Sequence, residues 1–281
     1  MDGQLPAELG ELSLVTSLSF GGNSLYGTIP SNLEYLTLLE FLILNSNKYG
    51  DTIPTHLGSL SALSYLHLGD NLFVGSIPSE VFVRTLQHFD VGLNRLSGTL
   101  PITMFDVSDN LQHIDISNNK ISGTLSSGLG DFVGLTSFAA DNNTLTGTLP
   151  GSIISDTLAT LDIGSNQLRG TLPPEIYMFG SSLTFLNLGL NSFEGTISPR
   201  YGDLVRLQTL VFFFNRLTGT IPTELGALTS LGVLHLAGTA LQGTMPKEVC
   251  SLTERNLRTL TSDCLLGSDA TVKCSCCTFC Y

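Results

Sequence analysis

Histidine and aspartate side chains recur at related places along this chain of 281 residues. Each stands one to six positions before a member of a regular asparagine series, or before the threonine that takes its last place. Four of the five histidines stand at these places, His67, His88, His113 and His235, together with the aspartates Asp70, Asp90, Asp115, Asp141 and Asp162. Imidazole and carboxylate groups together suit divalent metals and proton transfer. Histidine also changes charge near pH 6.5, which suits a pH-sensitive contact surface.

The asparagine series has a period of 23 to 25 residues, which is typical of a solenoid. Its members are Asn23, Asn47, Asn71, Asn94, Asn119, Asn143, Asn166, Asn191 and Asn215, with Thr239 in the tenth place. Apolar residues stand eight, five and three places before each asparagine. The pattern predicts ten coils, and we expect each asparagine to bond backbone groups of its own and the next coil.

A second series of hydroxyl residues stands five places after each asparagine, usually in the string Gly-Thr-Ile/Leu-Pro. Its members are Thr28, Thr52, Ser76, Thr99, Thr124, Thr148, Thr171, Thr196, Thr220 and Thr244. The resulting frame, LxxLxLxxNxLxGxIPxxLGxL, is seen in "LVRLQTLVFFFNRLTGTIPTELGAL" and resembles the plant-type leucine-rich repeat. The resemblance runs from Gly3 to Val249. Local departures are Asp51 for glycine, Ser126 and Ser198 for proline, and Thr239 for asparagine.

The resemblance implies an α/β fold, a leucine-rich-repeat solenoid in the form of a curved horseshoe or superhelix. Its parallel β-sheet would line the concave side, and short strands, 3-10 turns or helices the convex side. Residues 1–249 are predicted to form about ten coils, the first of them partial, and residues 250–281 a Cys-rich cap. The longest apolar strings fall far short of the roughly 18 residues that a membrane span needs, so none is predicted.

All six cysteines lie in the predicted cap: Cys250, Cys264, Cys274, Cys276, Cys277 and Cys280. An even number of cysteines over a terminal coil favours disulfides and an oxidising compartment, with the pairing left open. The alternative is a zinc site at Cys276, Cys277 and Cys280. This tail also resembles those of leucine-rich-repeat proteins of diatoms and related algae, which implies a secreted or surface protein.

Other signals of compartment are weaker. Asn142, in Asn-Asn-Thr, is a glycosylation candidate that we expect to point outward. The chain opens on residues that match the end of a coil, and no signal peptide is visible. Such an opening would leave the apolar edge of the first coil uncovered, so we expect the natural start to lie upstream. With the predicted disulfides, we expect an extracellular or cell-surface protein, and a cytoplasmic one is the alternative.

Charge and motifs exclude several functions. A net charge of −12 opposes nucleic acid and anionic lipid. No Gly-x-Ser-x-Gly, HExxH, P-loop or GxGxxG string occurs, so the chain is not expected to be an enzyme or to hold a cofactor.

Variable positions six, four, two and one places before each asparagine should project from the concave strands, because side chains alternate along a strand. The candidate binding residues there are Tyr65, His67, His88, Asp90, His113, Asp115, Asp162, Phe185, Leu190, Val211, Phe213, Phe214, Val233 and His235. The polar members form either a merely solvated face or a contact surface. Phe213 is expected to stand uncovered between Gly189 and Ala237, unless it packs on its neighbours or under the cap.

The sequence therefore predicts a non-enzymatic module that binds a protein, peptide or glycan through its concave or lateral face. The resemblance supports this, because plant-type repeats commonly serve as receptor ectodomains and as inhibitors of cell-wall-degrading enzymes. One alternative is ice binding through the threonine series, since regular hydroxyl and methyl arrays occur on ice-binding solenoids. Another is a metal-dependent or hydrolytic role of the histidines and aspartates.

Overall fold

The structure is a computed structural model, and it describes residues 1–107, 110–179, 181–264 and 271–281. The chain divides into two compact units, Met1–Thr144 and Leu145–Tyr281. Each unit is a stack of coils with the fold of a leucine-rich-repeat solenoid. A coil consists of a first strand, a turn at the asparagine, a short second strand and a 3-10 or α-helical turn.

In the first unit the first strands form one parallel sheet, and they are Ser17–Ser19, Phe41–Ile43, Tyr65–His67, His88–Asp90, His113–Asp115 and Ser137–Ala139. The second strands are Asp2–Gly3, Ser24–Gly27, Lys48–Tyr49, Val74–Gly75, Arg95–Gly98 and Lys120–Thr124. Between them lie the 3-10 turns Ala7–Glu11, Ser31–Tyr35, Thr55–Ser59, Ser79–Val81 and Ser127–Asp131 and the helix Met104–Val107.

In the second unit the first strands are Thr160–Asp162, Phe185–Asn187, Thr209–Val211, Val233–His235, Thr259–Ser262 and Phe279–Cys280. The second strands are Thr144–Gly147, which begins on the last residue of the first unit, Gln167–Thr171, Ser192–Thr196, Arg216–Thr220, Ala240–Thr244 and Val272–Lys273. The turns are Gly151–Ile153, Pro199–Asp203, Thr223–Ala227 and Ser251–Glu254, and the helices are Glu175–Phe179 and Lys247–Cys250.

The first strands hold one buried residue between two that face outward. Leu66, for example, is fully buried, whereas Tyr65 and His67 are only half-buried. The same alternation repeats in the first strands from Ser17–Ser19 to Val233–His235, and register pairing places corresponding residues side by side. It is lost in Thr259–Ser262 and Phe279–Cys280. The apolar positions of the frame therefore build the core and leave the outward positions free to vary.

The asparagines bond to the backbone as expected, but the neighbouring coil is the preceding one and not the next. Asn71 Nδ2 donates to the carbonyl oxygens of Leu68 and Gly69 in its own coil, at 3.0 and 3.2 Å, and to that of Leu44 in the coil before, at 3.0 Å. Its Oδ1 accepts from the Tyr49 amide at 3.1 Å. Each such asparagine satisfies turn groups that would otherwise be buried without partners.

The glycine before each threonine explains the Gly-Thr string. Gly123 has φ +85°, and a Cβ there would lie 2.7 Å from Cγ2 of Thr99 in the preceding coil. A side chain at this position would meet both backbone strain and the threonine methyl group. Glycine thus lets the threonines stack from coil to coil, and all ten members of the series are exposed.

The six cysteines form three disulfides: Cys250–Cys276, Cys264–Cys280 and Cys274–Cys277. The predicted disulfides are confirmed, and the zinc alternative is wrong because no thiolate is left to bind the metal. Within the same tail, Val272 pairs with Gly243 and Phe279 pairs with Thr261, so the tail adds one strand to each sheet. In the part of the chain that the structure describes, no helix has the length and apolar character needed to cross a membrane.

Candidate functional site

The outward side of the first strands, with the two residues before each asparagine, is called the strand face below. In the first unit it carries a column of rings, one from each of four successive strands: Phe41, Tyr65, His88 and His113. Their centroids are 6.2, 4.9 and 4.5 Å apart in that order. The two imidazoles are stacked with an angle of 15° between their planes. The expectation that His88 and His113 are neighbours is therefore met by the register and by direct ring contact.

Beside the rings runs a polar column of His67, Asp90 and Asp115. His67 Nε2 lies 2.8 Å from Asp90 Oδ2. Asp90 Oδ1 accepts from the Gly92 amide at 3.0 Å, and Asp115 Oδ1 accepts from the Ser117 amide at 2.8 Å. The loop after each strand thus fixes the orientation of its carboxylate.

A pocket of about 360 Å³ opens between the two columns. Its walls are Tyr65, His88, Phe89, Asp90, His113, Ile114 and Asp115, and it ends on Ser137 and Ala139. These last two residues occupy the same two columns one coil further on. Because Ser137 and Ala139 are small, the two columns of large side chains end at this coil, which leaves a step in the surface.

The electrostatics of this face are set by imidazole and carboxylate groups that lie close together. Burial lowers the pKa of His88, and the neighbouring His113 lowers it further. Burial raises the pKa of Asp141, and the nearby Asp115 carboxylate adds to that shift. The four aspartates of this face, Asp70, Asp90, Asp115 and Asp141, are accompanied by no lysine or arginine at the corresponding positions of the first unit.

The metal-binding interpretation finds no matching geometry. Among the described residues, one group of His, Cys, Asp or Glu places three ligand atoms within 4.8 Å of one another: Cys264, Cys274 and Cys277. All three sulfur atoms are already in disulfides. The histidines and aspartates of the first unit form a polar wall and do not converge on one point.

The strand face of the second unit is apolar by comparison. Phe185, Val211 and Val233 are half-buried, and 47% of the surface of each of Leu190 and Phe214 is exposed. Leu190 and Phe214 have φ of +54° and +48°, a region that bulky residues rarely adopt. These two side chains are therefore held outward at some cost in backbone energy.

Phe213 does not stand uncovered, which corrects the sequence-based expectation. It is half-buried, and its ring lies 4.2 Å from that of Phe214 and 5.6 Å from that of Tyr281. Tyr281 follows Cys280, whose disulfide to Cys264 holds the last strand in the sheet. Tyr281 lies outside the repeat frame, so no repeat register predicts its place.

Two predicted residues of the second unit have local partners. Asp162 Oδ1 accepts from the Gly164 amide at 3.1 Å and from Asn187 Nδ2 at 2.9 Å. His235 Nδ1 lies 3.1 Å from Thr261 Oγ1, and burial lowers the pKa of this histidine. These two partners of Asp162 thus lie within the second unit.

Asn142, the glycosylation candidate, is exposed as expected. Its Nδ2 donates to Asn118 Oδ1 at 2.9 Å, so it lies at the margin of the strand face in the first unit.

Comparisons with known proteins agree with this architecture. The sequence model of the Leucine Rich Repeat family matches residues 110–132, 157–179 and 206–228. A segment of 53 residues, 19% of the chain, is 45% identical to the receptor kinase-like protein Xa21 of Oryza sativa subsp. japonica and spans 5% of that protein. The plant peptide hormone receptor RGFR1, solved in complex with RGF2, matches 92% of the chain and 41% of its own, with 29% identity and a TM-score of 0.83.

A plant ice-binding protein of known structure also matches, over 86% of the chain and 78% of its own, with 25% identity and a TM-score of 0.75. Of the two receptor proteins named above, the chain spans well under two thirds of the length. With the repeat frame and the coils described above, these matches support a plant-type leucine-rich-repeat protein.

Proposed function

We propose that this chain is a non-enzymatic recognition module that binds a peptide or protein segment along the strand face. The observation that carries the proposal is the ring column of the first unit, beside a pocket of about 360 Å³. Nothing in the repeat frame requires rings there, because the core is built from the alternate positions. Aromatic side chains around a pocket are typical of interface centres.

The similarity to a plant peptide hormone receptor in complex with its ligand supports a receptor-like module over an inhibitor-like or glycan-binding one. The three disulfides support a secreted or cell-surface location, because such bonds persist in oxidising compartments. We also propose that residues 250–281 cap the solenoid formed by residues 1–249.

A random peptide library displayed on phage tests the proposal. Peptides enriched on the purified chain should lose at least roughly tenfold in affinity with Ser137→Trp, which fills the pocket with an indole ring. The control is Glu34→Ala on the turn Ser31–Tyr35 of the same unit, away from the strand face, which should leave binding unchanged. Enriched peptides that bind both variants like the wild type would contradict a role for the strand face.

Ice binding is a second candidate, favoured by the exposure of all ten members of the threonine series and by the similar plant ice-binding protein. In each unit the methyl group of one threonine lies over the glycine of the next coil, which makes the series regular. Thr171→Tyr should then abolish inhibition of ice recrystallisation, whereas Thr229→Tyr, outside the series, should not. A wild-type chain that leaves ice growth unaltered would exclude this candidate.

A further inference from the structure

The pocket of the first unit presents carboxylates without a strong cation. None of its nine lining residues is lysine or arginine. In the described parts of the chain, the salt bridges are His67–Asp90 and Arg200–Asp203. Asp115, which pairs in register with Asp90, therefore has no cationic partner. Of these two adjacent carboxylates, Asp90 is the one paired with a histidine.

The same carboxylates are held in place by the backbone. Oδ1 of Asp115 accepts from the amide of Ser117, two residues further on. A Cβ on Gly92 would lie 2.9 Å from this oxygen, so glycine in the preceding coil leaves room for it. Gly69 makes the same room for Asp90. The second oxygen of Asp90 is taken by His67, which leaves Asp115 as the carboxylate that is available to a ligand.

The opposite wall of the pocket is aromatic. The rings of Tyr65, His88 and His113 lie in line across from the carboxylates. A planar cation is attracted both to aromatic rings and to carboxylates, and a guanidinium group can donate two parallel hydrogen bonds. The pocket volume lies at the lower end of the roughly 300–1,000 Å³ that is usual for ligand sites, so it suits one long side chain.

Building on the proposed function, we propose that this pocket binds an arginine side chain of the bound peptide, with Asp115 as its main partner and Asp90 as its second. An acidic side chain would be repelled there, and a neutral one would leave the carboxylates uncompensated. Asp141 adds support, because its carboxylate also lies near Asp115 and its pKa is raised. A cation at Asp115 would offset this repulsion between like charges.

The test uses peptides enriched from the random library on the wild-type chain. Each is resynthesised with citrulline in place of arginine, which keeps the shape of the side chain and removes its charge. We expect the citrulline peptides to bind about tenfold more weakly, as for the loss of a charge-assisted hydrogen bond. Asp115→Asn should weaken the arginine peptides to a similar extent and the citrulline peptides little. Asparagine retains the oxygen that accepts from Ser117, so the loop stays in place.

Asp131→Asn is the matched control, since it removes one exposed carboxylate from a turn of the same unit. It should leave both kinds of peptide unchanged. Enriched peptides that are blocked by Ser137→Trp but carry lysine or no basic residue would overturn this inference and leave the proposed function standing. Peptides insensitive to Ser137→Trp would contradict both.

Discussion

The two units share one frame and differ in the face that this frame leaves free. In each, asparagine side chains bond the turns, and every first strand before Phe279–Cys280 buries an apolar residue. The first unit then presents stacked imidazoles beside carboxylates, whereas the second presents Leu190, Phe213 and Phe214. Since the core residues are alike in both units, the strand face is free to change without loss of the fold. The chemistry of the strand face is thus a property of each stretch of coils.

The disulfides are the largest difference between the two units, because all three lie in the second. Replacing Cys264 and Cys280 by serine should lower the free energy of unfolding by about 2–4 kcal/mol. It should also release the strand that brings Tyr281 to Phe213. Hydrogen exchange followed by mass spectrometry should show faster exchange in Thr259–Ser262 and no change in Tyr65–His67.

The matched control is the pair Cys274 and Cys277, which are three residues apart and close a much shorter loop. Their replacement by serine should cost less, because a short loop restricts the unfolded chain less. An equal cost for both pairs, or faster exchange in the first unit alone, would contradict this account.

The asparagines should show where the units are alike. Asn119 Oδ1 accepts from the Leu96 amide at 2.9 Å, and Asn215 Oδ1 accepts from the Phe193 amide at 2.8 Å. Alanine at either position should destabilise the chain by about 1–3 kcal/mol for each group left without a partner. We expect the two variants to differ little in urea denaturation, despite their different strand faces.

Asn118→Gly is the control for Asn119→Ala. Asn118 has φ +53°, and glycine already occupies the same place in the coil at Gly22 and Gly238. This change should therefore alter the unfolding midpoint little. A larger effect at Asn118 than at Asn119 would show that the turn depends on a different residue.

Much of this architecture was predictable because the period of the asparagines sets the register of every strand. That register placed His67, Asp90 and Asp115 in one column and His88 beside His113. The tail was not predictable in the same way, since its strands follow no period and its disulfides decide where Tyr281 lies. The similarity of this tail to those of algal proteins stays a prediction.

Two finer features also lay beyond the sequence. An Asn side chain can reach either neighbouring coil, and the structure shows that it bonds to the preceding one. Left-handed backbone before each asparagine was unexpected, because Leu93, Leu190 and Phe214 are poor residues for it. The sequence carried one signal for this left-handed backbone: serine, aspartate, asparagine or glycine stands at the same place in other coils.

Leu190 and Leu93 provide a pair that tests whether backbone strain is retained for binding. Both have φ +54°, and both are exposed, the first in the second unit and the second in the first. Glycine at either position should raise stability by up to about 1 kcal/mol, because it relieves the left-handed strain. Peptides that bind the strand face of the second unit should bind more weakly to Leu190→Gly only. Thermal denaturation and binding assays measure the two effects, and a loss of stability in both variants would refute the strain argument.

The smallest expected difference between the units is their response to acid. Burial lowers the pKa of both His88 and His235, and His113 lowers that of His88 further. A histidine whose pKa is depressed in the folded state favours the fold as the neutral ring. Its contribution is therefore complete above the unfolded pKa of about 6.5 and is lost as pH falls through the lower folded value.

We expect the free energy of unfolding to fall between about pH 7 and pH 5. His113→Gln should reduce this fall by removing the second imidazole that His88 faces, whereas His235→Gln should remove only the part due to burial in the second unit. Denaturation midpoints measured across this range give the comparison. A fall that is the same in the wild type and in the double variant His88→Gln/His235→Gln would mean that other groups set the acid response. The stacked pair of the first unit would then contribute to its surface chemistry without affecting its stability.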